Sequence, residues 1–217
     1  MKDLLITGWC GTKFAMMATR TVPLMHQYAD KHGMAFAVQN LEGPKPPAWR
    51  KVVCMIAGLH LYDRVLWLDS DVVVVRSDVN LFDEAGDGFV QAMVEHTTAD
   101  GVIPNTGVWA VTQEMLGTLQ MIDNSERHRH HHWWEQAAIL ELMGYEVTNT
   151  PTATLVAKTP LYDRTKFLSS QWNHHPRDSN KCSYSRFYHA TTYDDRVGFV
   201  NDMADLADGN KELVKYR

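Results

Sequence analysis

Short runs of consecutive apolar residues alternate along this chain with longer segments whose apolar positions recur every three or four residues. That alternation predicts an α/β fold around a mostly parallel sheet. Asp3-Leu-Leu-Ile-Thr7 predicts a first strand ending at Gly8, and Phe14, Met17, Thr21, Leu24, Met25 and Tyr28 then recur at helical spacing until Gly33. Residues 34–39 predict a second strand. Glu42-Gly-Pro-Lys-Pro-Pro47 predicts a loop, because its three prolines fix φ and remove hydrogen-bond donors. A helix over about 48–62 carries Trp49, Val52, Val53, Ile56 and Leu59 on one face, and Val65-Leu-Trp-Leu68 reads as a strand buried on both sides.

Beyond this point, 89–95 and 107–111 predict strands, and 112–123 and 134–143 predict helices. From residue 145 the pattern breaks into short strands and polar loops, with a C-terminal helix expected from near Asp202. No internal repeat and no shift of composition divides the chain, so 1–217 is read as one domain.

Composition narrows the function classes. Hydrophobic residues are 45% and charged residues 22% of 217, ordinary for a folded protein. The net charge of -5 disfavours nucleic acid as a partner, since phosphate backbones are met by basic faces. Cys10, Cys54 and Cys182 form no CxxC pair and no even disulfide framework, which suits a reducing cytoplasm. The N-terminal apolar run is too short for a signal peptide, and no stretch approaches the roughly 18 to 20 residues of a membrane span. Any anchor is expected to lie outside this chain. The seven Trp suit either core packing or stacking on sugar faces.

The strongest chemical signal is Arg64-Val-Leu-Trp-Leu-Asp69-Ser-Asp71-Val-Val-Val-Val75, in which a buried strand runs into two acids one residue apart. In open α/β sheets, ligands sit beyond the carboxyl ends of the strands, where Asp69 and Asp71 project. Hard carboxylate oxygens there suit Mg²⁺ or Mn²⁺, with ligand positions left for substrate phosphates. A plain turn is the bland alternative. Two chemistries use such a pair. In phosphatases of the haloacid dehalogenase type the first acid attacks phosphorus; in glycosyltransferases of the GT-A type the pair holds a metal and the donor's ribose. The phosphatase motif opens its fold, whereas here two strand–helix units come first, which favours the second.

Elsewhere in the chain stand Trp49-Arg-Lys51, Asn105-Thr-Gly107, Trp134-Glu-Gln136, Trp172-Asn-His-His-Pro176 and Tyr188-His-Ala190. In that order, and together with Leu66-Trp-Leu-Asp-Ser-Asp71, they resemble the galactosyltransferases of the yeast mannan and plant xyloglucan type, glycosyltransferase family 34, with kinship to family 8. The resemblance covers about residues 3–195. It implies a GT-A fold, a nucleoside diphosphate sugar donor (UDP-linked above all), a glycan acceptor, Mn²⁺ (or Mg²⁺) as cofactor and, for those families, retention of anomeric configuration. Carried over by position, it implies that Asp71, Asp69 and His189 hold the metal, Asp69 and Ser70 also facing the donor. Thr7, Gly8 and Trp9 would receive the base, Lys51 would face the diphosphate, and Asn105 and Gly107 would line the sugar side. Glu135 and Gln136 would do the catalytic work. Residues 1–75 become the nucleotide-sugar half and 76–217 the acceptor half.

The chain departs from the family 8 pattern after its late histidine. His189-Ala-Thr-Thr-Tyr-Asp-Asp-Arg196 lacks the Gly and Lys that follow there, which leaves Arg196 as the stand-in cation. Arg127-His-Arg-His-His-His132 reads as a solvated loop, with an acidic acceptor or a stray metal as the sharper alternative. Trp133 or Trp134 is expected either to pack or to form a sugar platform. Inversion would need a carboxylate base, for which Glu135 is the candidate; retention would leave the departing phosphate to take the proton. Two other classes stay open: a phosphatase with Asp69 as nucleophile and Asp194-Asp195 as metal pair, and a non-catalytic carbohydrate-binding module.

Overall fold

The computed structural model describes residues 1–98, 101–150, 152–175, 185–192 and 194–209. The chain runs β1 (Asp3–Trp9), α1 (Thr12–Lys31), β2 (Ala35–Asn40), α2 (Pro47–Leu59), β3 (Arg64–Asp69), β4 (Val72–Val74), α3 (Leu81–Ala85), β5 (Gln91–Thr98), β6 (Gly101–Thr112), α4 (Leu116–Asn124) and α5 (Trp134–Met143). It continues through β7 (Tyr145–Val147), β8 (Ala153–Leu155), α6 (Pro160–Asp163), β9 (Thr165–Leu168), β10 (Phe187–His189) and α7 (Arg196–Ala207).

Six strands form one sheet in the order β2-β1-β3-β6-β5-β9, and only β6 runs against its neighbours. Side chains alternate across it. Leu5, Leu66, Leu68, Val108 and Ala110 pack against α1 and α7, while Leu4, Ile6, Val65, Trp67 and Trp109 pack against α2, α4 and α5. Covering both faces explains the unbroken apolar run of β3. Each Leu, Ile or Val among them contributes about 1.5–3 kcal/mol on leaving water.

The first three strands locate the site. From β1 the chain steps outward over one face of the sheet through α1 to β2, then returns over the other face through α2 to β3. The direction of winding reverses between β1 and β3, and a crevice opens at the carboxyl ends of the strands at such a reversal. Gly8 pairs with Asp69 there.

Several boundaries differ from the sequence-based expectation. β6 begins at Gly101, six residues before the expected 107, because β5 pairs with it as far as Thr98↔Gly101, across a register shift at Ala92/Val94. Asn105-Thr-Gly107 thus belongs to a strand. The expected helix over 112–123 opens as a 3₁₀ turn at Gln113–Met115 before α4. The last helix starts at Arg196 instead of Asp202, because the Asp195 carboxylate accepts from the Gly198 N–H at 2.9 Å and caps it. Cys10 and Cys54 are free thiols, and Cys182 lies outside the described residues. Among the described residues no helix is long and apolar enough to cross a membrane.

Candidate functional site

Asp69 ends β3 and Asp71 immediately precedes β4, with Ser70 in the turn between them. The turn is held from α1, whose Thr21 hydroxyl donates to the Ser70 carbonyl at 2.9 Å. Asp69 Oδ1 accepts from the Trp67 indole at 2.6 Å and lies 3.1 Å from Lys51 Nζ. Lys51 is buried, and its ammonium also meets Glu135 Oε1 at 2.8 Å and the Thr106 carbonyl at 3.1 Å, so each of its three donors has an acceptor. Burial works against this charge, but Asp69 and Glu135 outweigh it, and its pKa is pushed up to about 12.

Asp71 is buried between His189 and Arg196. His189 Nε2 lies 3.3 Å from its Oδ1, and Arg196 Nη1 lies 3.3 Å from its Oδ2. Burial raises the carboxyl, yet His189 and Arg196 together hold it below the usual carboxylate range. His189 arrives from the far end of the chain because β10 pairs antiparallel with β4, setting His189 opposite Val72. The Ala190 N–H donates to the Asp71 carbonyl at 3.1 Å. The imidazole lies over Gly107, where a Cβ would come 2.2 Å from His189 Cε1; that contact explains the glycine in β6.

One ligand atom each from Asp69, Asp71 and His189 lies within 4.8 Å of the others. Opposite ligands of a bound Mg²⁺ stand about 4 Å apart and adjacent ones about 3 Å. A small contraction would therefore close these three around an ion. Two carboxylate oxygens and one imidazole nitrogen form a donor set that Mg²⁺ and Mn²⁺ both accept.

These groups line a cavity of about 740 Å³, within the range of small-ligand sites. Gly8, Trp9, Lys51, Asp69, Ser70 and Asp71 stand on its wall, and so do Asn105, Gly107, Glu135, Gln136, His189 and Arg196. Thr7 does not: it is fully buried beneath the crevice. Gly8 owes its small size to packing, since a Cβ there would lie 2.7 Å from the Gln39 carbonyl oxygen of β2. Glu135 is only 3% exposed, its Oε1 also accepting from the Thr106 hydroxyl at 2.9 Å.

Sequence reasoning missed Lys13 and Phe14, at the start of α1, as part of the cavity wall. It also missed the stacked rings of His96 and His175, 3.5 Å apart and nearly parallel. Burial and the neighbouring histidines hold the His175 pKa well below its usual value. Only the Asn-His-His-Pro run signalled this region, and it assigned no role to Asn173 or His175.

The tryptophans divide by burial. Trp49, Trp67, Trp109 and Trp172 are core, and Trp133 packs half-buried against the core beside α5, so the Trp content is mostly structural and lends no weight to a binding module. Trp134 is different: it is 47% exposed, stands on the cavity wall and has a φ of 45°. That left-handed backbone costs a non-glycine residue about 1–2 kcal/mol, while glycine's own entropic penalty is about 0.5–1 kcal/mol. Trp134→Gly should therefore leave the melting temperature unchanged or slightly higher. If the indole is a sugar platform worth about 1.4 kcal/mol, the same variant should raise the KM for acceptor about tenfold. Unfolding curves and acceptor titrations check the two halves of this prediction, and an unchanged acceptor KM would rule out the platform.

Two other readings change with the structure. In the 127–132 segment, His128 pairs with Glu141 at 2.8 Å and His131 Nε2 meets the Thr148 carbonyl at 2.6 Å, so these rings fasten the loop, while His132 reaches the cavity. The phosphatase alternative needs Asp194-Asp195 as a metal pair, but Asp195 caps α7 and neither residue lines the cavity.

By sequence, the chain matches no known protein-family profile and no curated protein. By structure, it is similar to a glycosyltransferase involved in glycosylating the major capsid of the virus PBCV-1, with a TM-score of 0.68, 16% identity and 94% of this chain matched to 98% of that one. It is also similar to the galactosyltransferase LgtC, determined with donor and acceptor sugar analogues, at TM-score 0.54 and 13% identity over 98% of both chains. A third likeness is to the glycosyltransferase GlyE of Streptococcus pneumoniae, at TM-score 0.55 and 12% identity, where 96% of this chain spans 63% of that one. The α/β sheet with helices on both faces, the switch-point cavity and these likenesses together establish that the chain adopts the GT-A fold of glycosyltransferases.

Proposed function

We propose that this chain is a metal-dependent glycosyltransferase, a hexosyltransferase in kind, that moves a sugar from a nucleoside diphosphate donor, UDP-linked in the first instance, to a hydroxyl of a glycan acceptor. The observation that carries this reading is the convergence of Asp69, Asp71 and His189 in a cavity at the sheet's switch point. The motif resemblance to families 34 and 8, and the capsid glycosylation named for the PBCV-1 protein, support it. Residues 1–75 would hold the nucleotide and 76–217 the acceptor, with the metal ligands drawn from both.

Asp71 and His189 would hold a divalent cation, Mn²⁺ by the resemblance, which would supply Lewis-acid stabilisation to the leaving diphosphate. Asp69, oriented by Trp67 and Lys51, completes the set or takes the donor's ribose hydroxyls. Arg196, the first residue of α7 and beside Asp71, is a side chain available to a diphosphate oxygen. Gln136 has its amide oxygen occupied by the Asn105 amide and the Thr106 N–H, so it offers N–H groups to a sugar hydroxyl.

Among the described residues on the cavity wall, the acids are Asp69, Asp71 and Glu135. The first two are the proposed metal ligands, and Glu135 is engaged by Lys51 and Thr106. A free carboxylate base for inversion is thus missing from this set, and the reading is retention, with Glu135 acting as a positioning residue through Lys51.

The test is a thermal-shift panel of nucleotide sugars with and without Mn²⁺, followed by NMR of the product's anomeric centre. A donor at a hundred times its Kd should stabilise the fold by about 2.7 kcal/mol, a rise of roughly 5–10 °C for a chain of this size. The shift should require the metal. Stabilisation by no sugar nucleotide, or equal stabilisation in chelator, would overturn the proposal.

A further inference from the structure

The hydrogen bonds between His189 and Gln136 have a direction that follows link by link. A backbone N–H can only donate. Gly107 N–H, 2.8 Å away, therefore identifies the Asn105 Oδ1 position as oxygen, and Thr106 N–H, at 3.3 Å, does the same for Gln136 Oε1. Asn105 Nδ2 then donates to Gln136 Oε1 at 3.1 Å, and Asn105 Oδ1 accepts from Asn173 Nδ2 at 2.9 Å. Turning the Asn173 amide over would press two carbonyl oxygens together at a residue that is 0% exposed. Asn173 Oδ1 is thereby aimed at His189 Nδ1, 2.9 Å away, and that nitrogen must carry the proton. His175 Nε2 lies 3.2 Å from the same nitrogen and serves as a second, longer acceptor. When the ring is neutral, the lone pair of His189 is left on Nε2, the atom that faces Asp71 Oδ1 at 3.3 Å.

We propose that Asn173 is a positioning residue for the cation site: through Asn105 it transmits the polarity of two β6 backbone N–H groups to His189, selecting the tautomer whose Nε2 can ligate. Asn173 reaches this place because residues 173–175 lie along β10, with His174 N–H donating to the Phe187 carbonyl and His189 N–H to the His174 carbonyl, both at 2.9 Å. A ligating imidazole with no fixed partner on its other nitrogen can rotate or present the wrong tautomer, and loss of such a partner weakens metal binding about 10- to 100-fold. The inference rests on the reading of Asp69, Asp71 and His189 as cation ligands.

Mn²⁺ titrations followed by calorimetry or electron paramagnetic resonance on the wild type and Asn173→Ala test it. Asn173→Ala should raise the Mn²⁺ Kd about 10- to 100-fold. Circular dichroism of the metal-free variant establishes that it is folded. A second measurement needs no variant: ¹⁵N-resolved NMR of the histidine rings in Mg²⁺-loaded wild type should show His189 protonated at Nδ1 and bare at Nε2. A folded Asn173→Ala variant that binds Mn²⁺ as tightly as wild type would overturn the role of Asn173 alone, and a proton on Nε2 in the loaded protein would remove His189 from the ligand set as well. A wild type that binds no Mn²⁺ would overturn the cation reading and this inference with it.

Discussion

Asp71→Asn should lower kcat/KM by about a thousandfold or more, because it removes the more deeply buried of the two proposed anionic ligands from a site whose proposed work is electrostatic. Turnover of a sugar nucleotide and Mn²⁺ titration of the same preparation would both register the loss. The fold should survive: the Asp71 backbone carbonyl keeps its bond from the Ala190 N–H, and the β4–β10 pairing does not use the side chain. Asp71→Asn with near-normal turnover would mean that the ion is held elsewhere or is not needed.

Lys51→Met should be the largest stability change. It leaves Asp69 and Glu135 facing each other across a buried space without their shared cation. Breaking a buried pair by removing one partner costs about 3–5 kcal/mol. The 31% exposure of the Asp69 side chain argues for the lower end. About 3 kcal/mol corresponds to a fall in melting temperature of roughly 6–12 °C for a chain of this size. A variant melting within error of wild type would show that the Lys51 cluster contributes nothing net to stability.

The same lysine sets an alkaline limit. Its pKa rises from 10.5 to about 12 on folding, so the charged form is favoured in the native state. The linked stabilisation is fully present below 10.5 and is lost as pH climbs through about 12, an effect of order 2 kcal/mol. Denaturant melts of wild type and Lys51→Met across that window should converge as pH rises. Parallel curves would contradict the assignment.

Much of the architecture was legible because local chemistry and the final fold agree. Apolar runs at β1 and β3, the helical spacing of α1 and α2, and the proline loop between β2 and α2 each follow from backbone and burial rules that act over a few residues. The Asp69-Ser-Asp71 step was legible for the same reason, since a doubly buried strand delivering two acids to a sheet edge leaves few uses for them. Asn105-Thr-Gly107 was placed near the sugar by resemblance, but its position inside β6 was not readable, because strand pairing with β5 extends the element past its polar residues.

What the sequence by itself determined was the alternation of elements, their burial and the acidic pair at the end of β3, all local consequences of side-chain type and spacing. Only the tertiary structure decided what those acids meet. His189 opposes Val72 through β4–β10 pairing across more than half the chain, Lys51 turns out to be a buried clamp on Asp69 and Glu135, and Asn173 comes to rest between Asn105 and His189. Such contacts depend on which distant segments share a low-dielectric pocket, and polar groups there take the partners that packing leaves within reach. No periodicity in the chain records that choice.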